Sequence, residues 1–123
     1  MCAALGIALP AHAGPDSWNV LPAWLGEKTA QPLREATVCV SQSASVFSIR
    51  QGPWKLVVND RKGALRNDNV DAPQLFNLAA ELSEQKNLAS AEPEKVKELD
   101  ALLARYRAQG FSRPGWQPGG KNR

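Results

Sequence analysis

Phe47-Ser48-Ile49-Arg50-Gln51-Gly52-Pro53-Trp54-Lys55-Leu56-Val57-Val58 is the stretch that decides the fold. Phe47 and Ile49 alternate with Ser48 and Arg50, and Trp54, Leu56 and Val58 stand on the opposite side to Lys55. A period of two puts each apolar set on one face of a strand. Gln51-Gly52-Pro53 interrupts the pattern with the two residue types that most strongly punctuate a chain. So short a break predicts two antiparallel neighbours, one from Val46 to Arg50 and one from Trp54 to Val58.

Outward from this pair, Thr37-Val38-Cys39-Val40-Ser41, inside the run 36–43, is rich in β-branched residues and predicts an earlier strand. Leu75 to Leu78 predicts a further strand at an edge, and Glu81 to Leu88 reads as a loose helical turn. The run 59–73 is full of Asn, Asp, Gly and charge, and reads as a long exposed turn. Within it Asn67, Asp68, Asn69 and Asp71 are oxygen-rich, but in this setting they read as solvated turn residues.

The clearest helix runs from Pro93 to Gln109, with Glu94 in its first turn, Arg105 and Arg107 near its end, and Gly110 as its stop. Val96, Leu99, Leu102, Leu103 and Tyr106 recur on one face. Burying each side chain contributes roughly 1.5–3 kcal/mol before ordering entropy is set against it. Such a stripe needs a flat apolar surface, which the sheet supplies. The expected fold class is α+β: a small antiparallel sheet of three to four strands packed by a C-terminal helix, with an N-terminal apolar arm.

The arm begins with an apolar run, Met1 to Ala13, in which no positive charge precedes the apolar residues. It reads as a fragment of buried helix rather than a signal peptide, although Ala11-His12-Ala13 mimics a cleavage site. The run is too short to span a bilayer. Asn19 then suits the N-cap of a short helix from Val20 to Leu25, with Pro22 in its first turn and Gly26 as its stop. Trp18, Leu21 and Trp24 make this piece strongly apolar, and a helix so short needs a surface to lie against.

At 123 residues the chain holds one small domain's worth of core. Its net charge of +3 comes from 15 basic and 12 acidic residues, so the excess is small and scattered. Arg61, Lys62 and Arg66 form one loose group and Arg105, Arg107 and Arg113 another. Neither is a basic face with interleaved aromatics, which argues against nucleic-acid binding. Cys2 and Cys39 make no C-x-x-C, and one histidine cannot complete a zinc set. A Cys2–Cys39 disulfide stays open as an alternative, while the alternating run favours Cys39 as a buried free thiol.

Taken together, several motifs resemble the arylsulfatase-type sulfatases. Asp16 to Gly26 is similar to the segment that follows that family's main α/β domain. Arg34-Glu35-Ala36-Thr37-Val38 comes next, and the strand pair resembles F-x-I-R-x-G-x-W-K-L. Leu75-Phe76-Asn77-Leu78, Glu84 and Asn87-Leu88 resemble L-[FY]-[DN]-L-x-x-D-x-x-E-x-x-N-L. Two departures stand out. Leu82 replaces an acidic residue, and Val40-Ser41-Gln42-Ser43 lacks the histidine of a V-H-x-S-like setting.

The resemblance implies a division of the chain. Residues 1–30 are a remnant of, or linker to, the large α/β domain; residues 31–110 are the C-terminal subdomain; residues 111–123 are an extended tail. It implies hydrolysis of sulfate esters, with a formylglycine nucleophile made in a C-x-[PA]-x-R motif and calcium balancing the sulfate oxygens. Neither Cys2-Ala3-Ala4-Leu5 nor Cys39-Val40-Ser41-Gln42 fits that motif, and there is no Asp-Asp pair. No catalytic residue, metal ligand or cofactor is therefore expected in this chain, and calcium and formylglycine are implied only for the full-length family.

Ser41, Gln42 and Ser43 are the expected rim of the substrate pocket. A serine nucleophile at Ser41 or Ser43 is disfavoured, because no base accompanies it. The expected partner is a catalytic sulfatase domain reached through Trp18, Leu21 and Trp24. The alternative is a stand-alone structural or interaction module of the same fold. Export would place the protein in a periplasmic or extracellular setting.

Overall fold

The computed structural model describes residues 2–42, 44–59 and 72–118. Its elements in chain order are α1 (Leu21–Trp24), β1 (Thr37–Val40), β2 (Val46–Gln51), β3 (Trp54–Asn59), β4 (Gln74–Asn77) and α2 (Pro93–Gln109). The chain divides into two units, Met1–Arg34 with Tyr106–Arg123, and Glu35–Arg105. The residues 60–71, which hold Arg61, Lys62, Arg66 and the Asn67–Asp71 cluster, lie outside the described residues, as does Ser43.

In the second unit the four strands form one antiparallel sheet in the order β1-β2-β3-β4. The deciding stretch is a hairpin in which Ile49 faces Leu56 and Gln51 faces Trp54. Its two-residue loop is Gly52-Pro53, and Gly52 takes a φ of +55° that side chains with a Cβ avoid. β4 is the expected edge strand. Register aligns Val38, Ile49, Leu56 and Leu75 in a row across one face. Ile49, Leu56 and Leu75 are fully buried, and so are Leu99 and Leu103 of α2. The helix stripe and the sheet row thus supply the same core, which is why the α+β reading holds.

Three expectations are corrected. Glu81 to Leu88 makes turns, not helix. Its backbone donors are committed to side chains instead: the Glu81 carboxylate accepts from the Gln85 and Lys86 N–H groups, and Glu84 adopts a φ of +55°. The first residues form only a 3-10 turn, Cys2–Leu5, with no buried residue and a left-handed Gly6 behind it. This is not buried helix. Cys39 is a free but exposed thiol, and Cys2 is free as well. β1 is an edge strand, and Cys39 lies on the face of Ser48 and Val57, opposite the buried row.

The first unit is a loop-rich arm tied by its polar groups. The Arg113 guanidinium donates to the carbonyls of Leu9, Pro10 and Ala13. Ser112 N–H donates to Asp16 Oδ1 at 2.9 Å, and Trp18 Nε1 donates to Ser112 Oγ at 3.2 Å. Phe111 and Trp116 stack at 4.9 Å between centroids. Among its described residues, 111–118, the segment after Gly110 has no helix or strand, yet it is pinned to residues 9–18 as far as Gln117, whose N–H donates to the Ala11 carbonyl. α1 starts one residue later than the sequence predicts, and Asn19 Oδ1 still accepts from the Leu21 N–H at 3.1 Å.

Candidate functional site

Among the motif residues of the second unit, Arg50, Lys55, Glu84, Asn87 and Leu88 each hold part of the sheet in place. Lys55, on the face of β3 away from Leu56, reaches both carboxylate oxygens of Glu84 at 2.8 Å. The pair clamps the turn after β4 onto the neighbouring strand. Asn87 Oδ1 accepts from the Leu75 N–H at 3.0 Å and from the Ala89 N–H at 2.9 Å. Leu88 N–H then donates to the Leu75 carbonyl at 2.8 Å. Asn87-Leu88 thus finishes the outer edge of β4 as a substitute strand would. Arg50 Nε donates to the Gly52 carbonyl at 3.2 Å and steadies the hairpin turn.

Leu82, which departs from the family pattern, is 83% exposed, so an apolar residue there costs no core contact. Beside it the Glu81 carboxyl is held below its ordinary value of 4.5, first by the Ser83 hydroxyl and then by the Lys86 N–H. These hydrogen bonds favour the charged form.

Ser41 closes the loop between β1 and β2. Its N–H donates to the Val46 carbonyl at 2.8 Å, and its Oγ accepts from the Val46 N–H at 3.1 Å. Gln42 is exposed at the loop tip. Ser41 and Gln42 thus sit together at one end of the sheet, and Ser41 is spent in part on holding its own turn.

The arm carries a cleft of about 650 Å³. Ile7, Trp18, Leu21 and Trp24 line it, with Asp16 and Arg34 as polar members. The three residues expected to meet a partner therefore share one concave surface. Trp24 is 71% exposed, and its neighbour Leu25 is also exposed. Asp16 and Arg34 open two of the family-like stretches, but only the fold marks them as members of the cleft.

Calcium does not fit the described residues. A hard cation wants several converging oxygens, and among the described residues no cluster of three His, Cys, Asp or Glu side chains can hold a metal ion. Among the described residues no helix is long and apolar enough to cross a membrane.

The four-stranded antiparallel sheet and its one long helix, with F-x-I-R inside β2 and N-L beside β4, match part of known sulfatases in sequence and structure, consistent with a C-terminal region, and the chain is a relative of the sulfatases. One curated protein it is similar to is N-acetylgalactosamine-6-O-sulfatase of Bacteroides thetaiotaomicron, 34% identical over 109 residues that make up 84% of this chain and 21% of that enzyme. A solved sulfatase structure, described under the metabolism of multiple glycosaminoglycans by B. thetaiotaomicron, superposes with a TM-score of 0.68 at 33% identity. The match covers 87% of this chain and 23% of that one. No family model matches the chain. The chain spans about a fifth of the length of the curated relative it matches.

Proposed function

We propose that the chain serves as the C-terminal region of an arylsulfatase-like sulfate-ester hydrolase, bracing a catalytic domain and supplying neither nucleophile nor metal ligand itself. One observation carries this reading: the match fills 84% of this chain but only 21% of the relative. Nucleophile, calcium and formylglycine then belong to the remainder of such an enzyme. The relative's name makes a sulfated sugar the favoured substrate class for the whole protein.

The cleft of the arm supports a docking surface for that domain through Trp18, Leu21 and Trp24. An exposed apolar patch with a polar rim marks an interaction site. Ser41 and Gln42, on the loop between β1 and β2, would then rim the substrate pocket together with Ser43, their neighbour in sequence. Export of such an enzyme would place the chain in the periplasm or outside the cell.

The test is a chimera in which this chain replaces the matching segment of the B. thetaiotaomicron enzyme. The expected result is a soluble enzyme that still releases sulfate. The isolated chain, given calcium and an aryl sulfate, should release none. Turnover by the isolated chain, or an insoluble and inactive chimera, overturns the reading.

A further inference from the structure

The two edges of the sheet are finished differently. At β4 the Leu78 N–H donates to the Pro53 carbonyl at 2.7 Å, which sets the hydrogen-bonded pairs and turns the N–H and carbonyl of Leu75 outward. Asn87 and Leu88 take up both groups. At β1 the Ser41 N–H donates to Val46, so Cys39/Ser48 and Thr37/Arg50 are hydrogen-bonded pairs. Val38 and Val40 therefore turn their N–H and carbonyl groups away from β2. Among the described residues no backbone group pairs with these four, and Val40 is 56% exposed. Natural sheets blunt such an edge with charge, proline, a bulge or a cover. Thr37-Val38-Cys39-Val40 has no charge and no proline.

We propose that β1 pairs antiparallel with β1 of a second copy of this chain, about a two-fold axis at Cys39. The hydrogen-bond parity selects the register. Centred on Cys39, Val38 faces the partner's Val40, Val40 faces the partner's Val38, and all four open groups are paired inside the strands. Centred on Val38 or Val40, two of the four groups fall beyond the end of the partner strand. No like charges meet across the axis in the chosen register. Cys39 and the partner's Cys39 then form a non-hydrogen-bonded pair with Cα atoms about 4.5 Å apart. That spacing lies within the range a disulfide spans.

The test uses the full chain with Cys2→Ala, so that Cys39 is its one thiol. Under reducing conditions, sedimentation should show the mass shifting from one chain to two as concentration rises, with Val38 and Val40 amides gaining exchange protection. Diamide, which takes the two electrons and two protons released when two thiols join, should yield a Cys39–Cys39 linked dimer. Val40→Lys, at an exposed position, should keep the circular dichroism spectrum and lose both the dimer and the link. A single-chain mass at every concentration, a dimer that oxidant cannot link, or a Val40→Lys chain that dimerises unchanged would each overturn the proposal.

Discussion

Asn87→Ala removes one side-chain oxygen and should unfasten an edge of the sheet. Leu75 has no exposed surface, and its N–H points away from β3 toward Asn87 Oδ1 at 3.0 Å. Truncation leaves that donor without a partner, at a cost of about 1–3 kcal/mol for a buried N–H. Because Asn87 itself is exposed and water reaches part of the site, a loss of about 2 kcal/mol is the expected value. For a chain of 123 residues each kcal/mol moves Tm by about 4 °C, so a fall of roughly 8 °C should appear. Urea unfolding followed by circular dichroism measures the first quantity, and a thermal scan the second. Amide exchange should quicken at Leu75 before it does at Leu56. Asn87→Asp keeps an acceptor oxygen in place and should recover most of the loss. A change under about 0.5 kcal/mol in Asn87→Ala, or an equal loss in Asn87→Asp, would refute the edge-closing role.

Three further outcomes are expected. Leu56→Ala, at the centre of the fully buried row, should cost about 2–5 kcal/mol in urea midpoint, and a smaller loss would show that Leu56 is not central to the core. Lys55→Ala breaks a clamp whose side chains are 27% and 33% exposed, so its cost should stay near about 0–1 kcal/mol and shrink with added salt; a large salt-independent loss would contradict this. Glu81 has a folded-state pKa below 4.5, so its contribution to stability is present above its unfolded value and is lost as pH falls through the folded one. Carboxyl NMR should place the Glu81 inflection below 4.5, and an inflection at or above that value would remove the Ser83 and Lys86 hydrogen bonds as its cause.

Much of the candidate site was legible through types and order but not through roles. Glu84 and Asn87 were visible as motif letters; that Glu84 clamps Lys55 and Asn87 closes β4 required contacts across 29 and 12 positions of sequence. Trp18, Leu21 and Trp24 were legible as an apolar cluster because α1 is local. The polar members of the same cleft, Asp16 and Arg34, carry no periodic signal.

Local periodicity and turn chemistry by themselves determined the strand pair, the Gly52-Pro53 corner and the helix from Pro93 to Gln109, because alternation, a left-handed corner and a 3.6-residue stripe act over a few neighbouring residues. Tertiary structure alone decided that β1 lies at an edge as well as β4. Alternation assigns Cys39 to a face but says nothing of what covers that face, so the thiol expected inside lies in solvent. It also decided that the glycine-rich end would be held by Arg113, because that hold comes from backbone carbonyls about a hundred residues away, and a carbonyl has no signature in sequence.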